Sequence, residues 1–182
     1  MNLVLIGMRG AGKSNLSRRL SVLTKRPVMS TDTLISYENQ GDPIATVLEK
    51  LGGSWRAFRD LETEIVSKVA AMDGVIIDTG GGIIVDLDDE GREIYSYRKM
   101  DALKKNGRIV WLEGDIPRLA AKAAADTRRP PLSATESEET IMRRRLPFYQ
   151  KAADHVINIE GFRRDLLALQ ILQQLHYWSG TI

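Results

Sequence analysis

The 182-residue sequence predicts a three-layer α/β/α domain on a five-stranded parallel sheet. Two observations carry this expectation. Five short runs rich in β-branched residues lack polar alternation, as strands buried on both faces do, and segments with helical spacing separate them. A third observation orders the chain: a glycine-rich turn lies between the first run and the first helical segment.

The runs are Leu3–Ile6, Pro27–Met29, Val75–Ile77, Ile109–Leu112 and His155–Ile159. Leu16, Leu20 and Leu23 predict a helix after the first strand, and Phe58, Leu61, Ile65, Val66 and Val69 predict one before the third. Asp42-Pro43 reads as an N-cap followed by Pro at the first helical position, and Gly52-Gly53 as the left-handed end of that helix. Thr135 and Glu138 have capping-box spacing, and Pro147 is expected to kink or end the helix that follows. The last segment, with Leu166, Leu167, Leu169, Ile171, Leu172 and Leu175, predicts an amphipathic helix against the sheet. No repeat or linker divides residues 1–182, so one domain is expected, with mobile insertions near 42–54 and 126–139.

Composition narrows the function classes. A formal charge of +2 gives no argument for a nucleic-acid partner, and the lack of Cys excludes disulfides, thiolate nucleophiles and thiolate metal sites. No apolar stretch approaches the ~20 residues of a membrane span. The expectation is a cytoplasmic protein with neither signal peptide nor anchor. His155 and His176 have no partner at metal or triad spacing, and Trp55, Trp111 and Trp178 read as packing residues.

The strongest chemical signal is Gly7-Met8-Arg9-Gly10-Ala11-Gly12-Lys13-Ser14, a phosphate-binding loop between strand and helix. Glycines let the backbone curl until successive N–H groups and the helix N-terminus face phosphate oxygens. Gly10, Ala11, Gly12 and Asn15 would supply that cradle, Lys13 would offset β/γ charge, and Ser14 would hold Mg²⁺. A nucleoside triphosphate is the expected ligand. Val75-Ile76-Ile77-Asp78 ends an apolar strand in a carboxylate that could share the metal or simply cap the next turn.

Beyond the loop, the chain carries Ser30-Thr31-Asp32, Phe58-Arg59-Asp60-Leu61-Glu62, Gly80-Gly81-Gly82, Arg128-Arg129-Pro130-Pro131-Leu132 and Arg145-Leu146-Pro147-Phe148-Tyr149. In this order and at these separations, over nearly the whole chain, the set resembles the shikimate kinases. An Asn-Lys-x-Asp segment, expected of a GTPase, is absent. The resemblance implies a P-loop kinase fold with a substrate segment about 32–62 and a mobile lid about 126–139. It implies transfer of the γ-phosphoryl group of ATP to the 3-hydroxyl of shikimate, with Mg²⁺ as cofactor and no partner beyond ATP and shikimate. A monomer is expected, with neither nucleic acid nor membrane. It also assigns roles. Asp32 would orient or deprotonate the hydroxyl. Arg59, positioned by Glu62, and Arg145 would clamp the carboxylate, while Gly80, Gly81 and Gly82 would approach the acid through backbone. Arg129 would reach ATP from the lid and Lys122 would lie near the nucleotide.

The chain departs from the family where Asp-x-Asp has become Ser30-Thr31-Asp32, so Asp78 is expected to supply the missing carboxylate from the neighbouring strand. Lys122 replaces a common Arg, and the segment after Ile159, where Arg163 is the candidate adenine contact, matches poorly. Two other readings stay open: a kinase for another small hydroxylated acid such as gluconate or aminoshikimate, and a nucleotide-binding regulator weak in catalysis.

Overall fold

A computed structural model describes residues 1–126 and 130–179, the side chains of 176–179 excepted. Five parallel strands, β1 (Asn2–Ile6), β2 (Val28–Ser30), β3 (Ile76–Asp78), β6 (Gly107–Glu113) and β7 (His155–Asn158), form one sheet in the order β2-β3-β1-β6-β7. β1 is buried along its whole length, as its unbroken apolar run demands, and helices cover both faces of the sheet. The chain leaves β1 for β2, returns through β3 and then crosses to β6. The strand order therefore reverses about β1, which opens a crevice at the carboxyl ends of the strands.

Helix α1 (Lys13–Thr24) buries Leu16 and Leu20, one turn apart, whereas Leu23 is exposed. Helix α8 (Arg164–Ser179) packs on α1. It buries Leu167, Ala168 and Ile171 while Leu166 and Leu169 face outward, so the predicted amphipathic stripe is narrower than the leucines suggest. Helices α2 (Thr31–Glu38), α3 (Ile44–Lys50) and α4 (Trp55–Ala70) enclose a smaller core of Ile35, Val47, Leu48, Phe58 and Ile65. Helix α3 starts one residue later than expected: Pro43 is its N-cap, and Asp42 pairs with Lys50 instead. Gly52 and Gly53 end it at φ 69° and 73°, the left-handed turn read from sequence.

An antiparallel hairpin, β4 (Val85–Leu87) and β5 (Glu93–Tyr95), was not anticipated. Its turn is tied by Asp88 Oδ1, which accepts from the Arg92 and Glu90 amides, and is closed by Gly91 at φ 81°. Helices α5 (Tyr97–Lys105) and α6 (Ile116–Ala124) flank β6. Helix α7 (Glu138–Ala152) is capped by Ser137, which accepts from the Thr140 amide at 3.1 Å, so the expected Thr135–Glu138 box is not formed. The Thr135 amide donates instead to Ser133 Oγ. Pro147 does not end α7; it lies on the exposed face with Arg143, whose carbonyl loses its hydrogen-bond partner there. No described helix is long and apolar enough to cross a membrane.

The capping difference is measurable. Ser137→Ala should lose about 1 kcal/mol of stability by urea denaturation, and Thr135→Ala should stay within about 0.5 kcal/mol of the parent.

Candidate active site

The turn from β1 to α1 curls because Gly10 and Gly12 hold φ 79° and 86°, a region costly for any residue with a Cβ. The carbonyls this exposes are held by cations. Lys13 Nζ donates to the Gly7 and Met8 carbonyls at 2.7 and 3.1 Å, and Lys122, reaching from α6, donates to Gly10 at 3.0 Å. Gly10, Gly12, Lys13, Ser14, Asn15 and Lys122 line a polar cavity of about 620 Å³ at the end of the sheet. Ala11 is buried, and its carbonyl accepts from Arg164 Nη1, whose guanidinium lies against Gly12. Arg163, the residue singled out from sequence, points to solvent and pairs with Asp165.

Asp78 and Ser30 stand side by side in the β2–β3 register, and both line this cavity. Ser30 caps α2 by accepting from the Thr33 amide at 3.3 Å. Asp78 is buried, and its Oδ1 has no hydrogen-bond partner among the described residues. An orphaned buried carboxylate oxygen is costly unless a donor or cation meets it. With the Ser14 hydroxyl lining the same cavity, the pair fits a hard divalent cation in its oxygen-only chemistry.

Asp32 follows β2 as the second residue of α2 rather than closing the strand. It lines this cavity and also a narrower one walled by Trp55, Phe58, Arg59, Glu62, the glycine turn, Pro130 and Leu132. The glycines are needed here. A Cβ on Gly80 would stand 2.5 Å from Asp32 Oδ1, and one on Gly82 would stand 2.5 Å from Arg59 Nη1. Gly80 N donates to Thr31 Oγ1 at 3.0 Å, which locks the turn to α2.

On α4 the apolar stripe is interrupted by Arg59 and Glu62, which are both buried and joined at 2.7 Å. Sequence spacing predicted the pair but not its third member: Lys99 from α5, wholly buried, donates to the same Glu62 oxygen at 3.0 Å and to the Val85 carbonyl at 2.7 Å. Burial works to raise the Glu62 carboxyl, but Arg59 and Lys99, through charge and hydrogen bonds, outweigh it and hold the carboxyl below its ordinary value. Arg59 Nε has no partner among the described residues, and its guanidinium lies over Trp55, 5.2 Å from the ring centroid. Trp55, read from sequence as packing, thus walls the site, whereas Trp111 does pack, stacked on Tyr149.

Arg145, on α7, reaches the other side of the glycine turn. It lines a small adjoining cavity that shares Arg9, Gly81 and Leu132 with the one around Arg59. Its Nε and Nη2 are met by Glu93 of the hairpin. Tyr149, one turn further on, donates to the Gly81 carbonyl at 2.5 Å. Arg9 spans the two halves, donating to the Pro130 carbonyl and to Glu138. The structure therefore gathers Lys13, Ser14, Asp32, Arg59, Glu62, Asp78, Gly80–Gly82, Lys122 and Arg145 around one crevice. Arg129, like His176 and Trp178, lies outside the residues whose side chains are described. Lys99, Glu93 and Arg9 were missed, since a Lys, a Glu and an Arg without motif spacing look like surface charges.

A cradle for polyphosphate and a pocket with two buried guanidiniums, joined at Asp32, suit phosphoryl transfer to a small anionic alcohol. The family model for shikimate kinase matches residues 9–176. A shikimate kinase of Leptospira biflexa is 44% identical over 182 residues, covering 100% of this chain and 99% of that one. One of Leptospira borgpetersenii is 40% identical over 97% of this chain and 98% of that one. Among solved structures, shikimate kinase from Acinetobacter baumannii in complex with shikimate superposes with a TM-score of 0.82 at 27% identity, covering 99% of this chain and 95% of that one.

Because Glu62 is held below its ordinary value of 4.5, its stabilising contribution is complete above that pH and fades as pH falls through the lowered value. The stability gap between the parent and Glu62→Gln should therefore be widest near pH 6 and shrink toward pH 3. Urea titrations across that range measure it.

Proposed function

This chain belongs to the shikimate kinase family, and we propose that it transfers the γ-phosphoryl group of ATP to the 3-hydroxyl of shikimate. The observation that carries the reading is that Asp32 lines both cavities, at the junction where a hydroxyl in one would meet a phosphoryl group in the other. The hydroxyl oxygen forms a bond to the γ-phosphorus as the bond to the ADP oxygen breaks, and Asp32 accepts or directs the released proton. Lys13 exchanges its loop carbonyls for β/γ-phosphate oxygens. Arg59, with an unpartnered buried Nε, and Arg145 receive the substrate carboxylate from either side of the glycine turn. Arg129 is proposed as the lid residue over the phosphates.

Mg²⁺ is the proposed cofactor, with Ser14 and Asp78 as its protein ligands; when bound it offsets charge on the β- and γ-oxygens. The orphaned Asp78 Oδ1 supports this, and Ser30 beside it is free of the metal role because it caps α2. The space around Arg59 is about 40 Å³, room for a few waters but not a six-membered ring. Pro130 and Leu132, which wall it, have to withdraw for the acid to enter. This is the lid motion proposed for residues 126–139, and its return excludes water from the transfer.

Incubation with Mg-ATP and shikimate should release ADP in a shikimate-dependent manner, and Asp32→Asn should lower kcat by roughly 10²–10⁴-fold. ATP binding with no shikimate-dependent ADP release would identify a nucleotide-binding regulator instead, and stimulation by gluconate alone would identify a different acid kinase. Asp78→Ala should raise the Mg²⁺ concentration giving half-maximal turnover; an unchanged Mg²⁺ dependence would remove Asp78 from the metal site.

A further inference from the structure

We propose that Lys99 is a positioning residue for recognition of the substrate carboxylate, acting through Glu62 on Arg59. The inference rests on the shikimate kinase reading above and deepens it. A Lys is almost never wholly buried without a specific compensation, and here it has two. Its Nζ meets Glu62 Oε2 at 3.0 Å and the Val85 carbonyl at 2.7 Å, both acceptors, as an ammonium requires.

The consequence is electrostatic. Glu62 Oε2 also takes Arg59 Nη1 at 2.7 Å, so Arg59 and Lys99 share one carboxylate oxygen; burial pulls the Lys99 ammonium below its ordinary value, against the pull of Glu62 and of Asp86 nearby, and with Lys99 protonated the hydrogen-bonded triad carries one positive charge in excess. Without Lys99, Glu62 alone would cancel Arg59. A neutral buried ion pair offers a second carboxylate little attraction to set against the cost of desolvating it. With Lys99, the excess charge stays on the cluster, and one donor of Arg59, its Nε, is buried and without a partner among the described residues. Arg145 has no such excess: Glu93 meets its Nε and Nη2, and Arg144, which shares Glu93, is balanced by Glu136. The asymmetry assigns most of the charge recognition to the Arg59 side. It also gives the β4–α5 segment a purpose, since Val85 and Lys99 both come from it.

The test compares shikimate with its methyl ester, which has the same ring and no charge. Binding is measured by calorimetry and turnover by ADP release. Lys99→Met should weaken shikimate binding and raise its KM by about tenfold or more, leaving kcat and ATP affinity within about threefold and the weak binding of the ester unchanged. Combining Lys99→Met with Glu62→Gln removes both charges, leaves Arg59 positive, and should recover at least half of the lost affinity on a logarithmic scale. Lys99→Gln, which keeps a hydrogen-bond donor, serves if the Met variant does not fold, and it should behave as Met does. Equal weakening of acid and ester, no weakening at all, or no recovery in the double variant would each overturn the proposal. A parent protein that turns over no shikimate would instead overturn the functional reading.

Discussion

The arrangement depends on one register. Leu5 of β1, Asp78 of β3 and Ser30 of β2 lie side by side at the carboxyl ends of three parallel strands. Each strand therefore releases its loop at the same level: the phosphate cradle from β1, the glycine turn from β3, and Asp32 from β2. Side chains then lock the level. Thr79 Oγ1 donates to the Leu5 carbonyl at 2.8 Å, and Gly80 N donates to Thr31. With the ladder pairs and these locks in place the strands have little freedom to slip, since a one-residue shift would break them and turn every side chain to the opposite face. The rigidity of the sheet thus becomes the relative placement of phosphate, metal ligand and base.

On that level the site is built from buried charge. Glu62 holds Arg59 and Lys99, Glu93 holds Arg145, and Lys13 and Lys122 are engaged by loop carbonyls. Buried pairs add little net stability, but they fix guanidiniums in one orientation before any substrate arrives. Two of the five buried side-chain atoms without a partner among the described residues, Arg59 Nε and Asp78 Oδ1, are where an anion and a cation are wanted. A buried polar atom without a partner calls for an explanation, and at these two positions a bound ligand supplies one. The hairpin and α5 contribute Glu93, Val85 and Lys99 to this framework without supplying a residue of any recognised motif.

Much of this was legible in the sequence. The central strands β1, β3 and β6 were readable because burial leaves a nearly uninterrupted apolar run, the half-exposed β2 and β7 from their short β-branched runs, and the phosphate loop because its glycines and Lys13 serve a local backbone geometry. The Arg59–Glu62 pair was readable from helical spacing. The hairpin was not, because its strands are three residues each, too short to display a period, although Asp88–Arg92 carries a turn signal. The cap of α7 was displaced by two residues, since several hydroxyls compete there and only the path of the chain selects Ser137.

Sequence by itself determined the five sheet strands, the cradle and the kinds of residue available, because these follow from contacts within a few positions of the chain. Only the tertiary structure decided which charges are buried together. Lys99 lies 37 residues from Glu62, and Glu93 lies 52 from Arg145. No local spacing links such positions; they meet because the sheet brings α4, α5, the hairpin and α7 to the same crevice, where a low dielectric turns ordinary surface residue types into a preset electrostatic site.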